Sequence, residues 1–202
     1  MAYIEGRTVH DADAHVMELP DKILEYLAPS AVDAFIKTAN KPITVSQDLQ
    51  KAVALQSDPS FRAEDDAQLM LRKNHLALGA FEAKDRPKTL DLLGFTSQLV
   101  FTTAALGNFG LDEKDPALAQ AAAQAHNRMN SDFCSVDPRL LATGYVPLSD
   151  LDAAPGIAIE AIELGCRGLI VPSACPAQHS PSHRGLDPLW ALLEEAGLPV
   201  LF

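Results

Sequence analysis

The sequence predicts an α/β protein built on a parallel sheet, and three observations carry that expectation. Helix-to-strand junctions of one form recur at Leu93-Gly94-Phe95, Leu164-Gly165-Cys166 and Ala196-Gly197-Leu198. Glycine tolerates the left-handed backbone that ends a helix. The segments that follow are short apolar runs, as expected of strands covered on both faces. Strand and helix alternate repeatedly, which implies right-handed crossovers within one parallel sheet.

In chain order, the first strand is expected at Thr8–His15. Asp21 is placed to cap a short helix over Lys22–Leu27. Residues 28–58 carry Pro29 and Pro42 and show no clean period, so they read as an irregular, partly helical excursion. Phe61–Phe81, rich in Ala, Leu, Arg, Glu and Met, reads as one helix. Pro87 opens a helical turn that Gly94 ends. The second strand follows over Gln98–Thr103, then a loop over Ala104–Lys114 with Gly107 and Gly110. Asp115-Pro116 starts a long helix running to about Ser135. Leu140–Pro147 is the third strand, Asp150–Leu164 the next helix and Gly168–Val171 the fourth strand. A loop over Pro172–Gly185, a helix opening at Asp187-Pro188 and a fifth strand at Leu198–Phe202 complete the pattern. The expected organisation is a single domain over 1–202 with a helical insertion at 19–90.

A chain of 202 residues, 48% hydrophobic, is long enough to bury a core and is not disordered in composition. The formal charge of −11 repels phosphate backbones and anionic lipid, so neither nucleic acid nor a membrane is an expected partner. No apolar run approaches the length of a membrane span, and no signal peptide is recognisable at the N-terminus. Three cysteines without Cys-x-x-Cys spacing suggest reduced thiols and a cytoplasmic setting. There is no Gly-rich phosphate fingerprint after a strand and no Gly-x-Ser-x-Gly elbow, which argues against nucleotide-dependent and serine-hydrolase chemistry.

The chemistry concentrates in Thr8–Glu18. Strict strand alternation places Val9, Asp11, Asp13 and His15 on one face, with His10, Ala12 and Ala14 on the other. Asp13 and His15, two apart, can direct a carboxylate oxygen and an imidazole nitrogen at one point, half of a divalent metal site. Asp11 reads as a buried structural or supporting carboxylate behind that pair. Glu18 is placed either to contact a ligand or to hold a loop. His10 is assigned to the helix side. His75 and His126 read as packing residues within helices, His179 as part of a solvated loop, Cys134 as a small buried apolar residue and Trp190 as a packing residue of its helix. Cys175 lies on the loop after the fourth strand.

The segment Asp11-Ala-Asp-Ala-His15-Val-Met-Glu18 resembles the opening of the second amidohydrolase family, the metal-dependent barrels related to aminocarboxymuconate-semialdehyde decarboxylase and γ-resorcylate decarboxylase. Asn127–Pro138, Gly144–Leu148 and Glu163–Pro172 are similar to its third- and fourth-strand region, and Leu186–Phe202 to its approach to the fifth strand. The resemblance implies the N-terminal five strands of a (β/α)8 TIM-like barrel, with the active site at the C-terminal strand ends. It implies that Asp13 and His15 are metal ligands for one Zn²⁺ or Mn²⁺ ion. The remaining ligands, a His after the fifth strand and an Asp after the eighth, would fall beyond Phe202. His183 and Arg184, on the loop after the fourth strand, are candidates for binding a substrate carboxylate. The expected activity is hydrolysis or non-oxidative decarboxylation of a small carboxylate-bearing substrate. The alternative is a non-catalytic barrel fragment or subunit. The expected partners are that substrate and either a second copy of the chain or a C-terminal complement.

Overall fold

In a computed structural model of the chain, residues 2–38, 43–108, 111–173 and 179–202 are described; Pro42, Gly110 and Cys175 lie outside them. Five strands form one sheet in the order of the chain: β1 His10–Val16, β2 Ser97–Thr102, β3 Leu140–Tyr145, β4 Gly168–Ile170 and β5 Val200–Leu201. Every neighbouring pair is parallel. The strands are shorter than the apolar runs suggest, since residues such as Val171 and Leu198 flank the ladder. A sheet that adds its strands in chain order, with helices along one face, curls into half a barrel.

The helices are α1 Pro29–Thr38, α2 Gln47–Gln56, α3 Pro59–Arg62, α4 Asp65–Gln68, α5 Arg86–Leu93, α6 Leu111–Lys114, α7 Pro116–Cys134, α8 Ala154–Glu163 and α9 Asp187–Ala196. The Asp115 side chain caps α7 by accepting from the Leu118 amide at 3.0 Å, with Pro116 at the first helical position. Gly94 ends α5 at φ +78° and Gly197 ends α9 at φ +63°. Glycine is obligatory at 94, because a Cβ there would stand 2.1 Å from the Ile4 carbonyl oxygen. The turn at Lys22–Glu25 is a 3-10 helix, and Asp21 makes no side-chain cap.

Residues 28–58 are more regular than their composition suggests, holding α1 and α2. The converse applies to Phe61–Phe81, which is not one helix. The Arg72 guanidinium lies 3.5 Å from the centre of the Phe61 ring and donates to the Phe61 carbonyl at 2.8 Å. In a continuous helix these positions would be about 16 Å apart along the axis. Asp65, buried, accepts from both Arg62 and Arg72, and Arg62 grips Asp85 with two bonds of 2.6 and 2.9 Å. This ion-pair knot folds the segment back on itself and outweighs helix propensity. The expected loop over Ala104–Lys114 contains α6, and the helix expected from Asp150 begins at Ala154, with Asp150 accepting from the amides of Asp152 and Ala153.

The main core lies between the sheet and its helices, with Val100, Leu90, Ala158, Leu169, Leu189 and Val146 almost fully enclosed. A second cluster, including Phe35, Leu111, Leu118 and Ala125, joins α1, α6 and α7. Among the described residues no helix is long and apolar enough to cross a membrane.

Two asparagines of α7 complete the sheet. The Asn127 amide accepts from the Tyr145 N–H at 2.7 Å and donates to its carbonyl at 3.1 Å, pairing as a neighbouring strand would. Asn130 donates to the carbonyls of Val100 and Thr143, both at 2.9 Å, bridging β2 and β3 beyond their last ladder pair, Val100 with Ala142. Buried backbone groups must find partners, and these amides supply them.

Candidate metal centre

The strand that carries the candidate ligands does not alternate strictly. His10 pairs with Ser97 and Asp11 with Gln98, but the next partners are Ala14 with Val100 and His15 with Phe101. Three steps along β1 thus match two along β2, a bulge with one extra residue. Paired residues of a ladder face the same side. Asp11, Ala14 and Val16 therefore share the helix side with the buried Gln98, Val100 and Thr102. His10 and His15 share the open side with Ser97 and Phe101. This corrects two expectations: Asp11 does not face the same way as His15, and His10 is not on the helix side but bonds Ser97 Oγ through Nδ1 at 2.8 Å. The extra residue restarts the alternation, which a pattern of two cannot reveal.

Past the bulge, the ligand pair lies together near the C-terminal end of β1. His15 Nε2 lies 3.4 Å from Asp13 Oδ1. Two donors bound to one ion at about 2.0–2.2 Å are separated by roughly 3.0–3.5 Å, so the spacing fits a shared divalent cation. The other ring nitrogen, Nδ1, is 3.0 Å from Thr103 Oγ1, and that hydroxyl also stands 3.5 Å from Met17 Sδ as its acceptor. In the tautomer that matches a Thr103 hydroxyl pointing its proton at the Met17 sulfur, Nδ1 donates to Thr103 Oγ1. Nε2 then keeps its lone pair for a ligand. The Phe101 ring stacks beside His15 at 5.7 Å between centroids.

Glu18 is buried, and its carboxylate accepts from the Thr103 amide at 2.9 and 3.1 Å and the Ala105 amide at 2.8 Å. It holds the loop after β2, and with it the Thr103 hydroxyl that orients His15. Asp11 supports from behind: its Oδ1 accepts from the Asp13 amide at 3.0 Å and its Oδ2 from Gln98 Nε2 at 3.1 Å. Among the described residues, no group of three His, Cys, Asp or Glu is gathered for a metal.

His183 and Arg184 follow β4. His183 caps the turn Arg184–Leu186, its Nδ1 accepting from the Gly185 amide at 3.0 Å, and its ring lies 5.3 Å from that of His179. Arg184 is exposed. Among the described residues, no hydrogen bond or ion pair joins His183 or Arg184 to Asp13 or His15. His75 lies in the turn Asn74–Leu76, not mid-helix, and burial lowers its pKa. His126 is enclosed in α7, where burial pushes its pKa down to about 4. Burial pushes the Cys134 and Cys166 thiols up to about 12 and about 11, so neither is an activated thiolate.

Thr103, Phe101 and Gln98 escape a sequence reading because their relation to β1 is a cross-strand register over more than 80 residues. The one available signal is the polar Thr102-Thr103 pair closing an apolar strand, where barrel chemistry collects.

Comparison with known proteins agrees with the fold. The amidohydrolase family model matches residues 11–202. No curated protein matches the chain. A crystal structure of an amidohydrolase from Mycobacterium avium subsp. paratuberculosis K-10 superposes with a TM-score of 0.67 at 21% identity, over 98% of this chain and 59% of that one. A 2,6-dihydroxybenzoate decarboxylase complexed with 2,6-dihydroxybenzoate gives 0.51 at 16% identity, over 98% of this chain and 49% of that one. A 2,6-dihydroxybenzoate decarboxylase from Rhizobium gives 0.48 at 20% identity, over 67% and 45%. The chain thus spans 59% of the length of the first of these structures, and its five strands form the N-terminal part of a TIM-like barrel. With a match over 11–202, the chain belongs to the amidohydrolase family.

Proposed function

We propose that the intact protein is a metal-dependent hydrolase or non-oxidative decarboxylase acting on a small carboxylate-bearing substrate. The observation that carries this is the Asp13 Oδ1 to His15 Nε2 spacing of 3.4 Å at the C-terminal end of β1, with His15 Nδ1 tethered to Thr103. Asp13 and His15 would hold the ion, with further ligands from parts of the barrel outside these 202 residues. A carboxylate oxygen in the place of a second imidazole tilts the preference from Zn²⁺ toward Mn²⁺. A bound divalent ion supplies Lewis acidity, polarising a substrate oxygen or lowering the pKa of water. Thr103 anchors His15 through Nδ1, and Glu18 keeps Thr103 in place. Phe101 offers an aromatic face beside the pair, which favours aromatic carboxylates as first probes, 2,6-dihydroxybenzoate among them. His183 and Arg184, on a loop at the same end of the sheet, are proposed to meet the substrate carboxylate.

The test is elemental analysis and turnover of the intact protein and of the Asp13→Ala, His15→Ala double variant. The wild type is expected to carry Zn²⁺ or Mn²⁺ and the double variant to lose both metal and turnover. Unchanged metal content and activity in the variant would remove the assignment. The second reading is a non-catalytic barrel portion. Native protein free of metal and inactive on the carboxylate panel decides for it. A homo-oligomer, or a C-terminal complement paired along β5, completes the proposal, and sedimentation measures either.

A further inference from the structure

We infer that Arg86 is a positioning residue for the Asp13–His15 pair, acting through Gln98 and Asp11 at one end of the ligand strand and through the turn at 78–80 at the other. This rests on the metal-dependent reading above.

Arg86 opens α5 and is 6% exposed, the most enclosed cation among the described residues. The first turn of a helix disfavours a positive charge, and burial lowers its pKa. A guanidinium in such a place persists only where its donors are engaged. Its Nε donates to Gln98 Oε1 at 2.9 Å, and Gln98 Nε2 donates to Asp11 Oδ2 at 3.1 Å. Asp11 Oδ1 then accepts from the Asp13 amide at 3.0 Å. The chain of bonds runs from buried cation to buried amide to carboxylate, and ends on the backbone of a candidate ligand, inside the bulge that turns Asp13 to the open face.

The second arm leads to the other side of the pair. Arg86 Nη1 donates to the Gly79 carbonyl at 3.1 Å, and the next carbonyl, Ala80, accepts from the Met17 amide at 2.7 Å. Gly79 stands at φ +68°, where a Cβ would come within 2.8 Å of Arg86 Cα, so the turn packs closely against the backbone at the start of α5. Arg86 therefore brackets residues 11–17, fixing the strand just before Asp13 and just after His15. Gln98 has one orientation that serves both neighbours, oxygen toward Arg86 and nitrogen toward Asp11, so the bond order along the relay is fixed.

That polarity supplies the test. Gln98→Glu keeps the acceptor for Arg86 but leaves no donor for Asp11. Adding Asp11→Asn restores a donor, while its oxygen still accepts from the Asp13 amide. Zn²⁺ binding by the intact protein is measured by equilibrium dialysis, and the Co²⁺-loaded protein by its visible absorption, beside a thermal melt. Gln98→Glu is expected to weaken Zn²⁺ roughly 10- to 100-fold and shift the Co²⁺ bands, with Asp11→Asn in the Gln98→Glu background returning both to wild-type values. If Gln98→Glu does not fold, Asp11→Asn alone, on the half-exposed residue, breaks the same link. Wild-type Zn²⁺ affinity in a folded relay variant, while Asp13→Ala with His15→Ala loses the ion, overturns the relay and leaves the functional reading standing. Equal Zn²⁺ binding in wild type and in that ligand variant removes both.

Discussion

His126 shows what burial does to a single titratable side chain. The ring is enclosed in α7, and its pKa falls to about 4 from an ordinary 6.5. An unfolded chain takes up the proton near pH 6.5, whereas the folded one resists it until about pH 4. The resulting stability is whole above pH 6.5 and is lost as the pH falls toward 4, by roughly 3 kcal/mol at full extent. Urea unfolding across that window is expected to show a flatter pH slope for His126→Gln than for the wild type; equal slopes would contradict the assignment. Glu18 is the second case. Its carboxylate accepts from two backbone amides, so Glu18→Gln turns a donor toward donors and is expected to cost about 1–3 kcal/mol in denaturant midpoint analysis. An unaltered midpoint would mean the loop after β2 is held elsewhere. At this scale the closeness of Asp13 and His15 was legible, because residues two apart on a strand share a face. Thr103 and Gln98 were not, because nothing local in a chain encodes a register.

At the scale of the element, the bulge in β1 decides which side chains face the open side. Deleting Ala12 would restore strict alternation, with Asp11 still on the helix side beside Gln98 and with Asp13 and His15 on the open side. It would also remove the local twist and the Asp11 bond to the Asp13 amide. The deletion variant is expected to fold with a loss of about 1–3 kcal/mol and to lose Zn²⁺ affinity by at least about tenfold. Retained affinity would show that the bulge is incidental to the pair. The helices divide in the same way between local and distant causes. Helix α7 was readable from Asp115-Pro116, and the ends of α5 and α9 from their glycines, since caps are chemistry within a few residues. The break-up of Phe61–Phe81 was not, because the Arg62, Arg72, Asp65 and Asp85 knot acts across turns that propensity does not see.

For the whole molecule, the strand–helix alternation and the glycine junctions made the parallel sheet and its order legible, while the helical excursion between β1 and β2 was only roughly drawn. The C-terminal ends of the strands are joined by a repeated device. Glu18, after β1, binds amides of the loop after β2; Asp112, after β2, binds the Leu148 and Ser149 amides after β3, the former at 2.9 Å. Because α6 and the loop over 103–108 lie between the two clasps, Glu18→Gln and Asp112→Asn are expected to be non-additive. A double-mutant cycle should give a coupling of at least about 0.5 kcal/mol, and simple addition would show the clasps to be independent.

Both clasps point the same way along the chain: the carboxylate always precedes the amides that it holds. During synthesis each acceptor therefore leaves the ribosome before its donors and waits for the next strand to arrive. The rim is assembled like a row of buttons, each fastened by cloth not yet woven when the button was sewn. A circular permutant beginning at β2 would reverse the order for Glu18 alone, leaving the order of Asp112 and its amides as it is.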